Sequence, residues 1–156
     1  MQGLIVNKLK GRYFTNMKEI LDAIDLDESK YNWLISDYEC NVYPAKEIPP
    51  DGQYVWIDGE SLLRLFDVHE IQFIWAVFSA FPKNIDLNKI LTHPMPFANG
   101  NCDLWNEKIK MQNHMAAVEI ISWDSSLVII VSQLSSVIQR VRLEYPEAVD
   151  LHKYNS

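Results

Sequence analysis

Residues 71–81 read IQFIWAVFSAF, and this stretch decides the fold. It is rich in Ile, Phe, Trp and Val, which pack well on a pleated strand, and Pro82 follows directly. Its apolar positions also fit helical spacing, but a short and nearly continuous apolar stretch of this composition favours a strand covered on both faces. We therefore predict a buried strand over residues 71–81.

Further strands are predicted where alternating or continuous apolar stretches end at turn residues. They cover residues 3–10, 31–36, 53–57, 117–123 and 127–131. A turn at residues 49–52, Pro-Pro-Asp-Gly, precedes one of them, because proline fixes φ and glycine adopts conformations that other residues resist. Asp124-Ser125-Ser126 joins the last two strands, which we interpret as a β-hairpin.

Helical spacing of apolar residues predicts helices between these strands. The first has a capping-box pattern at its start, with Asn16 and Glu19 three residues apart. Asp58 is expected to cap a second helix, where its carboxylate would meet the free amides of the first turn. A short helical turn is expected at residues 86–91, and a final helix is expected to begin at a Ser132 cap and end before Pro146. The apolar positions of the first and the final helix are Met17, Ile20, Leu21, Ile24, Leu134, Val137, Ile138, Val141 and Tyr145.

The predicted order of elements is β, α, β, β, α, β, a loop with a short helix, β, β, α. Neighbouring strands that are joined by turns favour a largely antiparallel or mixed sheet with helices packed against it, an α+β fold. With 156 residues and no repeat or long linker, the chain is expected to be a single domain over residues 1–156.

The charge of the chain argues against two classes of partner. Fourteen basic and twenty-one acidic residues give a net charge of -7, and the basic residues are scattered singly. Such a chain repels phosphate backbones and anionic membranes, so neither nucleic acid nor a membrane is expected as a partner. The acidity suits solubility, or a basic protein partner.

A cytoplasmic location is expected from two observations. The first residues lack the basic start and apolar stretch of a secretory signal, and the longest apolar stretch is too short to span a bilayer as a helix. Cys40 and Cys102 do not form a C-x-x-C pair, which favours reduced thiols in a cytosol, although a single bridge between them is the alternative.

Standard cofactor and metal patterns are missing from the sequence. Five scattered glycines form neither a dinucleotide-binding turn nor a P-loop, and no histidine pair has zinc-binding helical spacing. Asn99, Asn101 and Asp103 alternate like the first ligands of a calcium loop, but Leu104 stands in place of the glycine and Lys110 in place of the glutamate. We predict no cofactor and no metal.

Glu119 is the main catalytic candidate, because strand periodicity puts its carboxylate on the same face as Ile121 and Trp123. A carboxylate on a partly apolar face needs a partner. In a cleft with Asp58, Glu60 or Asp124, one carboxylate could have a raised pKa and act as a general acid or base. The alternative is a solvated face, or a cross-strand pair with Lys or Arg.

The irregular stretch at residues 93–101 supplies the binding candidates. Proline and Asn-Gly keep it irregular, residues 104–110 have no clear assignment, and a loop of this length can line a binding surface. The candidates are Phe97, Asn99, Asn101 and Trp105. The tryptophans at positions 56, 75 and 123 are expected in the core, since tryptophans in strands bury a large apolar area.

Three stretches carry a resemblance to a known family: YVWIDGE at 54–60, FIWAVFS at 73–79 and EIISWDSS at 119–126. They resemble a family of small uncharacterised proteins from Bacillus-type bacteria, a domain of unknown function. The resemblance implies no activity and assigns no residue a catalytic role. The chain is also loosely similar in type to the immunity proteins of bacterial toxin systems, which are small, acidic and non-enzymatic.

The leading hypothesis is a non-enzymatic protein-binding module, immunity-like, that holds a protein partner with the loop from Pro94 to Trp105. The alternative is a small enzyme or ligand-binding domain that uses Glu119. A homodimer with a structural role is the third hypothesis.

Overall fold

The structure is a computed structural model that describes residues 1–7, 15–44 and 46–156. Within these residues seven strands form one sheet. The strands are β1 (Gln2–Val6), β2 (Tyr31–Cys40), β3 (Tyr54–Asp58), β4 (Phe73–Pro82), β5 (Val118–Trp123), β6 (Leu127–Ser132) and β7 (Val149–Asp150). The helices are α1 (Met17–Ile24), α2 (Gly59–Val68), α3 (Leu87–Ile90), α4 (Ser135–Glu144) and α5 (Leu151–Asn155).

The sheet has the order β3-β2-β4-β5-β6-β1-β7, and every pair of neighbours is antiparallel. The predicted α+β fold is therefore confirmed. The strand predicted over residues 71–81 is β4, which begins two residues later, at Phe73, and includes Pro82. It lies between β2 and β5 and is covered on both faces. Its alternate residues enter two different hydrophobic clusters, Phe78 in one and Val77 in the other.

Three helices cover one face of the sheet. The buried sides of α1, α2 and α4 form a single cluster with inward residues of the strands, among them Phe78 and Ile120. The predicted capping residues of the first two helices act as expected, since Asn16 accepts the N–H of Glu19 and Asp58 accepts the N–H of Ser61 at 2.9 Å. This face is a conventional helix-on-sheet core.

The other face is covered mostly by irregular chain. Residues 83–117 cross it with α3 and a short 3-10 helix at Cys102–Trp105, and α5 lies beside them. Apolar residues from this stretch and from α5 pack on the strands, namely Ile90, Ala98, Leu104, Met111, Ala116 and Leu151. The loop that the sequence marks as irregular is thus a structural layer, buried on its inner side.

Two predictions about the end of the chain are wrong. Ser132 does not cap α4, because it is the last residue of β6 and its hydroxyl accepts the N–H of Leu134, the residue that precedes the helix. The helix α4 is also not the last element, since β7 and α5 follow it. A strand of two residues carries no periodicity, and β7 forms only because β1 is beside it.

Other boundaries shift by a few residues. The predicted strand at 3–10 is β1, Gln2–Val6, and residues 8–10 fall outside the described residues. The predicted strand at 31–36 continues as β2 to Cys40, past a register irregularity between Ser36 and Glu39. Both cysteines are free thiols. The tryptophans at 56, 75 and 123 are half-buried at the margin of the second face, while Trp33 is 3% exposed in the core.

Candidate functional site

The candidate site lies on residues 91–117, here called the covering segment. Apart from the 3-10 turn at Cys102–Trp105, this segment has little regular structure of its own. A chain of this kind must find partners for its buried backbone groups, because unpaired polar groups in the interior are costly. Side chains of the sheet and of the segment itself provide those partners.

Glu119 anchors the second half of the covering segment. Its side chain projects from β5 and is 0% exposed, and its two oxygens accept the backbone N–H groups of Gln112 and Asn113, each at 2.8 Å. Burial raises the pKa of this carboxyl to about 7, against the opposing effect of the two N–H groups. Glu119 thus pairs with backbone, and not with the solvent or cross-strand cation considered above.

Gln112 links the second half of the covering segment to the first half. Its side-chain oxygen accepts the N–H of Phe97 at 2.9 Å and the amide group of Asn101 at 3.1 Å. The same Asn101 amide donates to the carbonyl of Phe97 at 2.9 Å, and Asn101 is only 3% exposed. Polar side chains therefore link the two halves of the covering segment from beneath.

Asp37 anchors the first half from a different strand. It sits at the irregularity in β2 with φ of 48°, a conformation in which Asp is better tolerated than most residues. One carboxylate oxygen accepts the N–H groups of Ala98 at 2.7 Å and Asn99 at 2.8 Å. Beside it, the Ser36 hydroxyl donates to the carbonyl of Pro96 at 2.7 Å.

Between its two halves the covering segment forms a groove of about 660 Å³. Apolar, amide and charged side chains of both signs line it: Pro94, Met95, Pro96, Phe97, Asn101, Asp103, Leu104, Asn106, Glu107, Lys108, Lys110, Met111 and Gln112. Met95 and Phe97 are 36% and 46% exposed, so the groove presents two large apolar side chains to solvent. The groove thus combines a fixed floor with apolar groups in solvent.

Of the four predicted binding residues, two line this groove. Phe97 and Asn101 are among its lining residues. Asn99 lies beside them, and its N–H donates to the Asp37 carboxylate. Trp105 is turned elsewhere, since its ring packs edge-to-face on Trp123 with centroids 4.9 Å apart. The predicted role of Trp105 in partner contact stays a prediction.

The four predicted catalytic carboxylates are not brought together. Asp58 lies on β3, which two strands separate from β5, so it is about 14 Å away from Glu119 by strand spacing alone. Glu60 follows Asp58 in the first turn of α2, and Asp124 is in the β5–β6 turn, about 17 Å along the chain from Glu119. The Ser61 hydroxyl and N–H hold the pKa of Asp58 below its usual value.

Sequence reasoning missed three residues that build the site: Asp37, Gln112 and Asn113. For Asp37 a signal exists, because aspartate is depleted in strands and tolerates positive φ better than most residues. Gln112 and Asn113 give no such signal. Their function depends on Glu119 and Phe97, which only the folded chain brings close.

Asp37→Ala is expected to reduce the free energy of unfolding by about 2 kcal/mol, because two N–H groups lose a charged acceptor and alanine is strained at positive φ. Asp37→Asn keeps one acceptor oxygen and tolerates this φ, so about half of that loss is expected. Urea unfolding of the three proteins at one pH measures both differences. Equal stability of wild type and Asp37→Ala would show that the anchor contributes nothing.

The fold and the groove define the class: an α+β protein with a seven-stranded antiparallel sheet, helices on one face and an irregular covering segment on the other. Residues 1–106 match the model of the family described as a protein of unknown function (DUF2691), and the chain belongs to this family. Neither the curated proteins nor the solved structures contain a match to the chain.

The match confirms that the chain comes from an uncharacterised family. It includes β1 to β4 and the groove residues up to Asn106, and it ends before Gln112 and Glu119. In the part of the chain that the structure describes, no helix is both long and apolar enough to cross a membrane.

Proposed function

We propose that this protein is a non-enzymatic binding module that holds a segment of a protein partner in the groove of the covering segment. The observation that carries the proposal is the groove itself, which has solvent-exposed Met95 and Phe97 on a floor fixed from below. Aromatic and methionine side chains are enriched in protein interfaces, and a preorganised site loses less entropy on binding. This supports a segment of protein as the occupant.

The chemistry of the acidic residues supports binding over catalysis. Glu119 uses both oxygens for backbone N–H groups and has no exposed surface, so a substrate does not reach it without displacing the covering segment. Asp58 is likewise occupied, by the N–H and the hydroxyl of Ser61. The small-enzyme alternative stays a prediction that these contacts do not favour.

Further parts of the proposal rest on charge and on the cysteines. The net charge of -7 suits a basic partner, as in the immunity proteins of bacterial toxin systems, and Asp103 and Glu107 offer carboxylates at the groove. A reducing bacterial cytoplasm fits the free thiols of Cys40 and Cys102. The lysines at 108 and 110 would then contact acidic or carbonyl groups of the same partner.

The test is crosslinking and affinity capture in the organism that encodes the chain, with quantitative mass spectrometry. Wild type and two variants are compared: Phe97→Asp in the groove and Val68→Asp at the end of α2. Val68 is 75% exposed and lies on the helix-covered side of the sheet, so it controls for the loss of any exposed apolar residue. Circular dichroism verifies that both variants are folded.

A specific protein is expected with wild type and with Val68→Asp, and about tenfold less of it with Phe97→Asp, because an aromatic anchor typically contributes more than 1 kcal/mol to binding. Equal recovery with all three proteins would place the interface elsewhere. Repeated recovery of no specific protein would contradict the proposal itself.

A further inference from the structure

The strand β3 is an open edge of the sheet. Among the residues that the structure describes it pairs with β2 alone, and the order of the sheet places it at one end. In an antiparallel ladder, each residue directs both its N–H and its C=O to one side, and neighbouring residues alternate. Half of the backbone groups of β3 must therefore point away from β2.

The register identifies which residues of β3 point outward. The N–H of Lys83 donates to the carbonyl of Lys30 at 3.0 Å, which makes the even-numbered residues of β2 the partners of β4. The odd-numbered residues Trp33 and Ile35 then bond to β3, opposite Ile57 and Val55. The outward N–H and C=O groups accordingly belong to Tyr54, Trp56 and Asp58.

This edge lacks the features that normally prevent strand pairing. Edge strands are usually short, charged, bulged or interrupted by proline. The sequence of β3 is Tyr-Val-Trp-Ile-Asp, with five paired residues, no bulge in its register to β2 and a single charged residue at its end. The opposite edge is β7, which is only two residues long. The β7 edge is thus too short for pairing with another strand, whereas the β3 edge is long enough for it.

We propose that β3 pairs antiparallel with β3 of a second copy of this chain, so that two sheets become one. A two-fold axis at Trp56 sets Trp56 opposite its own copy and Tyr54 opposite Asp58, the pattern of an isologous dimer. All three outward residues then exchange hydrogen bonds, about six in total at two per pair. The side chains of Val55 and Ile57 become neighbours across the axis.

The self-complementary register favours a second copy over a charged partner at this edge. The register opposes no two like charges, since Asp58 faces Tyr54, and the Asp58 carboxylate is already bonded to Ser61. A basic segment would find no free carboxylate on β3 itself. Because β7 is too short to continue the pairing, the assembly closes at two copies.

The test measures the mass of the full chain by sedimentation equilibrium from low to high micromolar concentration. Wild type is expected to approach twice the chain mass of 18.2 kDa. Trp56→Lys removes an aromatic pair, puts two lysines face to face at the axis and is expected to weaken dimerisation about tenfold. Val149→Lys places the same residue on the other edge strand and should leave the dimer unchanged.

Hydrogen exchange of wild type gives a second readout that needs no variant. The amides of Tyr54 and Trp56 should exchange fast in dilute protein and slowly in concentrated protein, while those of Val55 and Ile57 stay protected throughout. A monomer at the highest concentration would overturn the proposal. So would a dimer that Trp56→Lys does not weaken, or one in which the Tyr54 and Trp56 amides stay unprotected.

Discussion

Glu119→Ala is expected to lower the free energy of unfolding by about 4 kcal/mol at pH 5.5. The substitution leaves the N–H groups of Gln112 and Asn113 without acceptors in the interior, and each such group costs about 1–3 kcal/mol. It also removes packing from a side chain that is 0% exposed. Urea unfolding monitored by tryptophan fluorescence measures the loss.

Ser79→Ala is the matched control for this substitution. Ser79 lies on β4 directly opposite Glu119, is also 0% exposed, and its hydroxyl makes no hydrogen bond within the described residues. Its removal is expected to change stability by less than about 0.5 kcal/mol, or to stabilise, since no partner is lost. If Glu119→Ala lowered stability no more than Ser79→Ala does, the anchoring role of Glu119 would be refuted.

Stability is expected to fall as the pH rises from 5 to 8, by about 3 kcal/mol on account of Glu119 alone. The pKa of this group is about 7 in the folded protein and 4.5 as its ordinary value, so the folded state holds the proton more tightly. The contribution is fully present below pH 4.5 and is lost as the pH rises towards 7 and above. The unfolded carboxyl has already ionised over this range.

Glu119→Gln isolates this effect, because glutamine does not ionise while the rest of the chain titrates as before. Subtracting the unfolding free energy of the variant from that of wild type at each pH removes the contribution of the histidines. The difference should slope downward from pH 5 to 8 with a midpoint between the two pKa values. A difference that stays flat with pH would mean that Glu119 does not titrate in this range.

Local patterns predicted much of this fold. The Asn16 and Asp58 caps, the α1 helix, the β5–β6 hairpin and the strand at 71–81 follow from residues that are close in sequence. The β5–β6 turn illustrates this, since Asp124 and Ser125 both adopt positive φ and aspartate tolerates that conformation better than most residues. The pairing of β7 with β1 depends on residues far apart in sequence, so no local pattern could predict it.

The site was predictable only in part for the same reason. Strand periodicity placed Glu119 on the face of Ile121, and the structure has both on the face under the covering segment. Its partners are N–H groups of an irregular stretch, which no side-chain pattern reveals. Phe97 was predicted from the irregular loop that carries it and does line the groove, but its role in binding stays a prediction. Asp37 acts on residues 98 and 99 across 61 or more positions of sequence, which no local pattern reveals.

The covering segment separates the residues that hold its backbone from the residues that it presents to solvent. Asp37 and Glu119 fix the backbone of the segment from two strands on either side of β4, so its shape is set by the sheet and hardly at all by its outward side chains. Met95, Phe97, Lys108 and Lys110 contribute to the groove without holding it in place. In this chain these four side chains can therefore be exchanged with little effect on the backbone that the two carboxylates hold, and under the proposed function such exchanges would change which partner binds.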